Sequence, residues 1–360
     1  MSSSPSVIVG LSGGVDSAVT ALLLKQQGYR VSGLFMKNWD EDDDTEYCTA
    51  RADLADAQQV ADRLGIELLT ANFAAEYWDQ VFSDFLAEYQ AGGTPNPDVL
   101  CNREIKFRYF ADYARQLGAD HIATGHYATL RSGRDGVELH RAADANKDQT
   151  YFLQAVTRPQ LEKVLFPLGG WLKSEVRERA ADAGFENHCK RDSTGICFIG
   201  ERRFRDFLAT YLPPSEGDIV DSTGRMLGRH PGVQFFTIGQ RQGLGIGGVT
   251  GAVEAPWLVA AKDREHNRLV VTQNPADLEA PALEATQLNW IGTAPVVGNP
   301  LTARIRHRQP LQACTVTTLS PQHMQVRFEA PQRAINPGQY VCLYDGTRCL
   351  GGGKITRAMD

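Results

Sequence analysis

No apolar run in this chain approaches the ~20 residues needed to cross a bilayer. The opening Met1-Ser-Ser-Ser-Pro-Ser6 carries no basic cluster, and the apolar run behind it is too short for a signal peptide. A cytoplasmic protein with no membrane partner is the expectation. No Cys-x-x-Cys pair occurs, so the usual zinc spacing is missing and no resident metal site is assigned. The seven cysteines are odd in number and irregularly spaced, which does not make a secreted disulfide framework. No internal repeat and no low-complexity segment stands out. An excess of positive charge is also lacking: the net charge is −6, which alone argues against a nucleic-acid partner.

That charge is unevenly spread. Residues 281–360 hold eight arginines and lysines against four acidic residues, so a basic surface able to meet phosphates is compatible with an acidic whole. A length of 360 residues suggests two or three domains, and 42% apolar with 22% charged residues is ordinary for a globular chain.

The most informative stretch is Val7-Ile-Val-Gly-Leu-Ser-Gly-Gly-Val-Asp-Ser17. Val7 to Val9 read as a buried parallel strand. Gly10, Gly13 and Gly14 follow, and Ala18 to Lys25 is a helix-forming run. Glycines let the backbone approach a ligand, and a helix N-terminus directs unpaired N–H groups at an anion. A Walker loop would place Gly-Lys-Ser/Thr here, whereas Val15-Asp16 stands in its place and no lysine is present. The glycine spacing is also wrong for a dinucleotide fingerprint. Ser-Gly-Gly-x-Asp-Ser resembles the loop of the ATP pyrophosphatases, which split ATP between its α and β phosphates.

Further along, Tyr29 to Lys37, Ile66 to Thr70 and Asp120 to Gly125 read as strands. Thr49 to Leu64, Tyr77 to Tyr89, Ile105 to Leu117 and Leu172 to Ala183 read as helices, with Val81, Phe82 and Phe85 as core rather than a stacking platform. The alternation gives an α/β fold with a doubly wound, mostly parallel sheet. The acidic run Asp40 to Asp44 reads either as a solvated loop or as a neighbour of Mg²⁺ beside phosphates. Residues 92–102 form a turn-rich stretch in which Pro95 and Pro97 should keep the chain out of helix. Past residue 205 the alternation stops. A small, mostly β central domain is expected over 205–280. Period-2 segments at 301–307, 314–319, 324–328 and 340–344 imply a C-terminal β-barrel or sandwich over 281–360, after a first domain over 1–204.

With the glycine loop, Asn96-Pro-Asp98…Cys101 and Gly195-Ile-Cys197-Phe-Ile-Gly-Glu-Arg202 in hand, the chain resembles the bacterial tRNA-specific 2-thiouridylases almost end to end. Met36-Lys-Asn-Trp-Asp40, Gly125-His126-Tyr127, Lys147-Asp-Gln149, Gly239-Gln-Arg241 and Cys349-Leu-Gly-Gly-Gly353 carry the likeness too. The resemblance implies an adenine nucleotide alpha hydrolase-like first domain, and a tRNA-contacting central domain and barrel. It implies a transferase that replaces the C2 oxygen of the wobble uridine with sulfur in tRNAs of the Lys, Glu and Gln type. ATP with transient Mg²⁺ and a persulfide-donating protein are the implied partners, and a monomer is expected. ATP contacts would come from Gly10, Leu11, Ser12, Gly13, Gly14, Val15, Asp16, Ser17, Met36 and Gly125. tRNA contacts would come from Asn96, Pro97, Asp98, His126, Lys147, Asp148, Gln149, Arg306, His307 and Gln339. Cys197 would carry the persulfide, Cys101 would be its partner thiol, and Asp98 would manage protons. A Cys101–Cys197 disulfide would remain after turnover. The other five cysteines read as small buried apolar residues.

The chemistry makes sense of an ATP loop in an enzyme whose product has no phosphate. A uracil carbonyl oxygen leaves poorly, and adenylation makes it part of a good leaving group. Two other readings compete. One is a different adenylating pyrophosphatase, of amidotransferase or lysidine type, which needs no cysteine pair. The other is an ATP- and RNA-binding module without chemistry, which would release no pyrophosphate.

Overall fold

A computed structural model describes residues 4–40, 50–191, 204–246 and 255–360 of the chain. The β-branched runs become the strands β1 (Ser6–Gly10) and β2 (Arg30–Lys37), followed by β3 (Leu68–Asn72) and β4 (His121–Ala123). A hairpin, β5 (Ala128–Gly133) and β6 (Gly136–Arg141), precedes the two-residue β7 (Val164–Leu165). The first sheet runs β3-β2-β1-β4-β7, with every pairing parallel. Ile8 and Leu34 join one core with Phe82, Phe85 and Phe110. Val7, Val9 and Phe35 face the other, where helices α1 (Val15–Gln26) and α2 (Ala50–Leu64) pack. Burial on both faces is the doubly wound arrangement that the apolar runs imply.

The stretch around Pro97 departs from expectation. A helix starts at Pro97, runs to Leu100, continues with π-helical geometry over Cys101–Phe110 and ends as an α-helix over Ala111–Gln116. Proline at the first helical position loses no hydrogen bond, and its fixed φ suits the helix. Asn96 precedes it with extended backbone. The two prolines therefore keep only the residues before Pro97 out of helix. Asp98 and Cys101 stand on its first turns, not in a loop.

The central unit is a four-stranded sheet, β10-β11-β8-β9, made of β8 (Gly217–Asp221), β9 (Met226–His230), β10 (Leu258–Asp263) and β11 (Arg268–Thr272). Its Ile219, Val259, Leu269 and Val271 belong to the same core cluster as Phe85 and Tyr89 of the first unit.

The last unit holds β12 (Glu279–Trp290), β13 (Pro300–Arg304), β14 (Gln312–Leu319), β15 (His323–Arg333), β16 (Tyr340–Asp345) and β17 (Arg348–Met359). Pairing of β12 with β17 closes these six into a barrel filled by Leu283, Val316, Val326, Val341 and Leu343. Gly352 and Gly353 lie where strands press together: a Cβ on Gly352 would fall on the Val341 carbonyl. On the outside, β6 pairs with β17 through His140↔Arg348 and Leu139↔Cys349. The first unit thus contributes a hairpin to the barrel's own sheet. Among the described residues no helix is long and apolar enough to cross a membrane.

Candidate active site

The glycine turn joins β1 to α1 at the C-terminal edge of the parallel sheet, the edge at which such sheets bind ligands. Gly13 is required by conformation and contact. Gly13 has φ +74°, and a Cβ there would lie 2.3 Å from the Asp53 carbonyl oxygen of α2. Gly14 precedes α1 in extended conformation without a side-chain cap, so the first amides of the helix stay available. Ser17 Oγ donates to the Gly14 carbonyl at 3.0 Å and accepts from the Ser12 amide at 3.2 Å, which fixes the turn. Gly125, after β4, lets that strand's end rest on the start of α1; a Cβ would come within 2.9 Å of the Asp16 carbonyl carbon and the Ser17 nitrogen. Met36 at the end of β2 packs over Gly10, to which a Cβ would bring its Cε within 3.1 Å. Gly10, Leu11, Ser12, Gly13, Gly14, Val15, Asp16, Ser17, Met36 and Gly125 therefore form one constellation.

Three neighbours of this turn are not among the expected site residues, although Tyr127 belongs to the Gly125-His126-Tyr127 motif. Lys173 Nζ, from the first position of the helix Lys173–Asp182, donates to Asp16 Oδ1 at 2.7 Å. Tyr127 Oη donates to the same oxygen at 2.8 Å. Asn187 Nδ2 donates to the Gly13 carbonyl at 3.0 Å. Below the turn, Lys190 bridges Asp53 and Asp56 of α2, and the two carboxylates hold its ammonium pKa above the usual lysine value despite partial burial.

The helix from Pro97 brings the second group. Asp98 lies one turn before Cys101, which is buried. Burial pushes the Asp98 carboxyl above the usual range, and the charge of Lys106 opposes that shift in part. Phe107 of the same helix packs against the His126 ring, with centroids 5.7 Å apart, and Phe166 lies 5.8 Å from that ring on another side. His126 is bonded to Thr124 Oγ1 at 2.7 Å and is buried, and desolvation keeps it neutral, well below the normal histidine value. As His126 follows Gly125 directly, the helix of Asp98 and Cys101 is tied through Phe107 to the floor of the glycine turn.

The residues expected to face RNA divide into two kinds. Gln339 of the barrel donates to the Thr94 carbonyl at 2.7 Å and meets Asn96 Nδ2 at 3.5 Å, so barrel and Asn96–Asp98 segment touch. Arg306 is exposed and donates to the Arg333 and Ala334 carbonyls, and partial desolvation with the nearby Arg333 lowers its pKa. His307 packs at a tilt against Phe152, with ring centroids 4.3 Å apart, and contacts the Asp148 carbonyl; burial holds it towards the neutral form. Lys147 and Gln149 are partly exposed beside these. Asp148 is different. Its carboxylate has no exposure; it accepts from Arg304 at 2.7 Å, from Thr150 Oγ1 at 3.0 Å and from Arg141 at 3.4 Å. Asp148 and His126 are interior groups, not side chains presented to a nucleic acid.

The cysteines sort unequally. Cys314, Cys342 and Cys349 are buried; burial pushes Cys314 up to about 12, and Cys342, 3.4 Å from the Cys349 sulfur, well above the normal thiol value. They suit the role of small apolar residues. Cys189 does not: it is exposed, because it ends a short 3₁₀ turn at the surface. Cys48, Cys197 with the 195–202 motif, and residues 41–44 of the acidic run lie outside the described residues. Asp40 itself pairs with Lys37 at 2.7 Å and accepts from Asn72, which lowers its carboxyl pKa.

Comparison with known families gives three consecutive matches: a tRNA methyl transferase HUP domain over residues 5–201, a tRNA methyl transferase PRC-barrel domain over 205–273 and an aminomethyltransferase beta-barrel domain over 281–355. Among curated relatives, the tRNA-specific 2-thiouridylase MnmA of Alcanivorax borkumensis is 57% identical over 97% of this chain and 96% of its own length. That of Methylococcus capsulatus is 56% identical over 98% and 96%. That of Stutzerimonas stutzeri is 58% identical over 98% and 94%.

Proposed function

The chain belongs to the family of the tRNA-specific 2-thiouridylases, and from that premise we propose the following reaction. It converts the wobble uridine of certain tRNAs, of the Lys, Glu and Gln type, to 2-thiouridine at the expense of ATP. The observation that carries this reading is the joining, through Gly125, His126 and Phe107, of an anion-binding turn to a helix presenting Asp98 and Cys101.

Uridine O2 attacks the α-phosphorus of ATP, the bond to the β-phosphate breaks and pyrophosphate leaves. The amides at the start of α1 hold the phosphates. Asp16 is the hard oxygen donor in the turn that would hold Mg²⁺ entering with the nucleotide, and the ion would supply further charge neutralisation. Asp98, whose carboxyl is raised by burial, holds or yields the proton at O2 or at a thiol. The outer sulfur of a persulfide on Cys197 then replaces the adenylated oxygen at C2, and AMP departs. Cys101 attacks the Cys197 sulfur, either freeing hydrosulfide for that substitution or releasing the thiolated base afterwards. Both routes leave a Cys101–Cys197 disulfide, which an external dithiol reduces by two electrons.

A base within an anticodon stack must be splayed out to be reached. Asn96, Pro97 and Asp98 contact it in this reading. Lys147, Gln149, Arg306 and Gln339 contact the surrounding tRNA, with Asp148, His126 and His307 holding that surface from within. Residues 1–204 carry the chemistry, and 205–280 and 281–360 the RNA. The sulfur arrives from a persulfide-bearing donor protein, and the enzyme works in the cytoplasm as a monomer. Incubation of the chain with ATP, Mg²⁺, unmodified tRNA and a persulfide source tests this. Nucleoside mass analysis is expected to show 2-thiouridine with stoichiometric AMP and pyrophosphate. Turnover that persists after both cysteines are replaced by serine would refute it.

A further inference from the structure

The glycine turn has no lysine of its own, and its one ionisable side chain, Asp16, has the sign of the phosphates it is meant to accompany. A turn that receives a triphosphate and stabilises departing pyrophosphate needs a cation. The fold brings one from far along the chain. Lys173 Nζ lies 2.7 Å from Asp16 Oδ1, 157 residues away in sequence, and the lysine is 9% exposed.

Its position is electrostatically costly without an anion. Lys173 occupies the first position of its helix, the end that disfavours positive charge. It is also largely removed from water. Asp16 answers that charge, yet the carboxylate is shared with the Tyr127 hydroxyl at 2.8 Å, and the ammonium lies 5.9 Å from the Tyr127 ring centroid. Asp16 belongs to the first turn of α1, whose amides face any bound phosphate. Lys173 Nζ therefore stands within one flexible side chain's reach of that anion.

We propose that Lys173 is a phosphate-contacting residue of the nucleotide site: it moves from Asp16 to the β- and γ-phosphates when ATP binds and neutralises pyrophosphate as it leaves. This rests on the ATP reading of the glycine turn. The handover leaves the Asp16 carboxylate to the Tyr127 hydroxyl and to the cation that accompanies the nucleotide. No bond to Lys173 forms or breaks; only its ion-pair partner changes.

Titration calorimetry of the full chain with ATP, inorganic pyrophosphate and AMP tests the assignment. Lys173→Met is expected to weaken ATP and pyrophosphate about thirtyfold, as the loss of a charge-assisted hydrogen bond implies, and to leave AMP within about threefold. Lys173→Arg is expected to restore most of the loss. Lys173→Gln can still donate to Asp16 but carries no charge; it guards against misfolding of the methionine variant and is expected to show the same selective loss. Equal weakening of ATP and AMP would reduce Lys173 to a prop for Asp16 and overturn the proposal, as would no weakening at all. Failure of the wild-type chain to bind ATP or pyrophosphate would overturn the nucleotide reading itself.

Discussion

Asp98 and Cys101 stand three residues apart at the start of one helix, a spacing that puts both on one face. The carboxyl is raised by burial. Such a group contributes stability below its unfolded pKa, and that contribution is lost as pH rises through the folded value. The same titration converts Asp98 from a proton donor to an acceptor. Asp98→Asn is expected to slow tRNA-dependent pyrophosphate release about a hundredfold or more and to flatten the pH-rate limb that Asp98 sets. Single-turnover profiles check this, and an unchanged limb in the variant would assign it to another group. The glycine turn and the Asn96–Cys101 motif were legible in the sequence as patterns because glycine, proline and cysteine at fixed spacing stand out, and the roles given to Asp98 and Cys101 come from the resemblance. Lys173 and Asn187 were not legible, because each sits in an ordinary segment and acquires meaning only through a contact over a hundred residues away; Tyr127 lies in the Gly125-His126-Tyr127 motif, but its bond to Asp16 is equally long-range.

At the level of the element, the strand–turn–helix from β1 to α1 and the helix from Pro97 set the site. The first was legible because its apolar run, glycines and helix formers agree. Of the second, the part from Ile105 onward is legible as a helix, whereas its start at Pro97 is not, because proline breaks a helix interior but here begins one, and π-helical geometry over Cys101–Phe110 blurs the 3.6-residue pattern. The hairpin β5–β6 gave no clear signal, since its strands are short and partly exposed and one of them gains its partner from the barrel. Gly13→Ala tests how tightly the turn is held. The left-handed conformation costs a side chain about 1–2 kcal/mol, and here the new Cβ would also meet the Asp53 carbonyl oxygen at 2.3 Å. The variant is expected to melt earlier and to lose ATP binding in calorimetry.

Across the whole molecule, the bonds that join the first unit to the barrel include the β6–β17 pairing, the Gln339 contact with the Thr94–Asn96 segment, and the fully buried Asp148–Arg304 pair, which Arg141, Thr150 and the Tyr344 ring surround. RNA resting on the barrel, as proposed, would thereby be registered against Asp98 and Cys101. Arg304→Met would leave Asp148 short of its closest partner and is expected to lower stability by about 3 kcal/mol, seen as a shifted urea midpoint. The double variant with Asp148→Asn is expected to lose less, because no uncompensated carboxylate remains buried. The central claim is chemical: the oxygen that sulfur replaces leaves the base on AMP. It is tested most directly with tRNA carrying heavy oxygen at O2 of the wobble uridine, turned over once with ATP and a persulfide source, and the AMP then weighed by mass spectrometry. The heavy atom is expected in the AMP phosphate in step with 2-thiouridine; its appearance in water, with unlabelled AMP, would contradict the account.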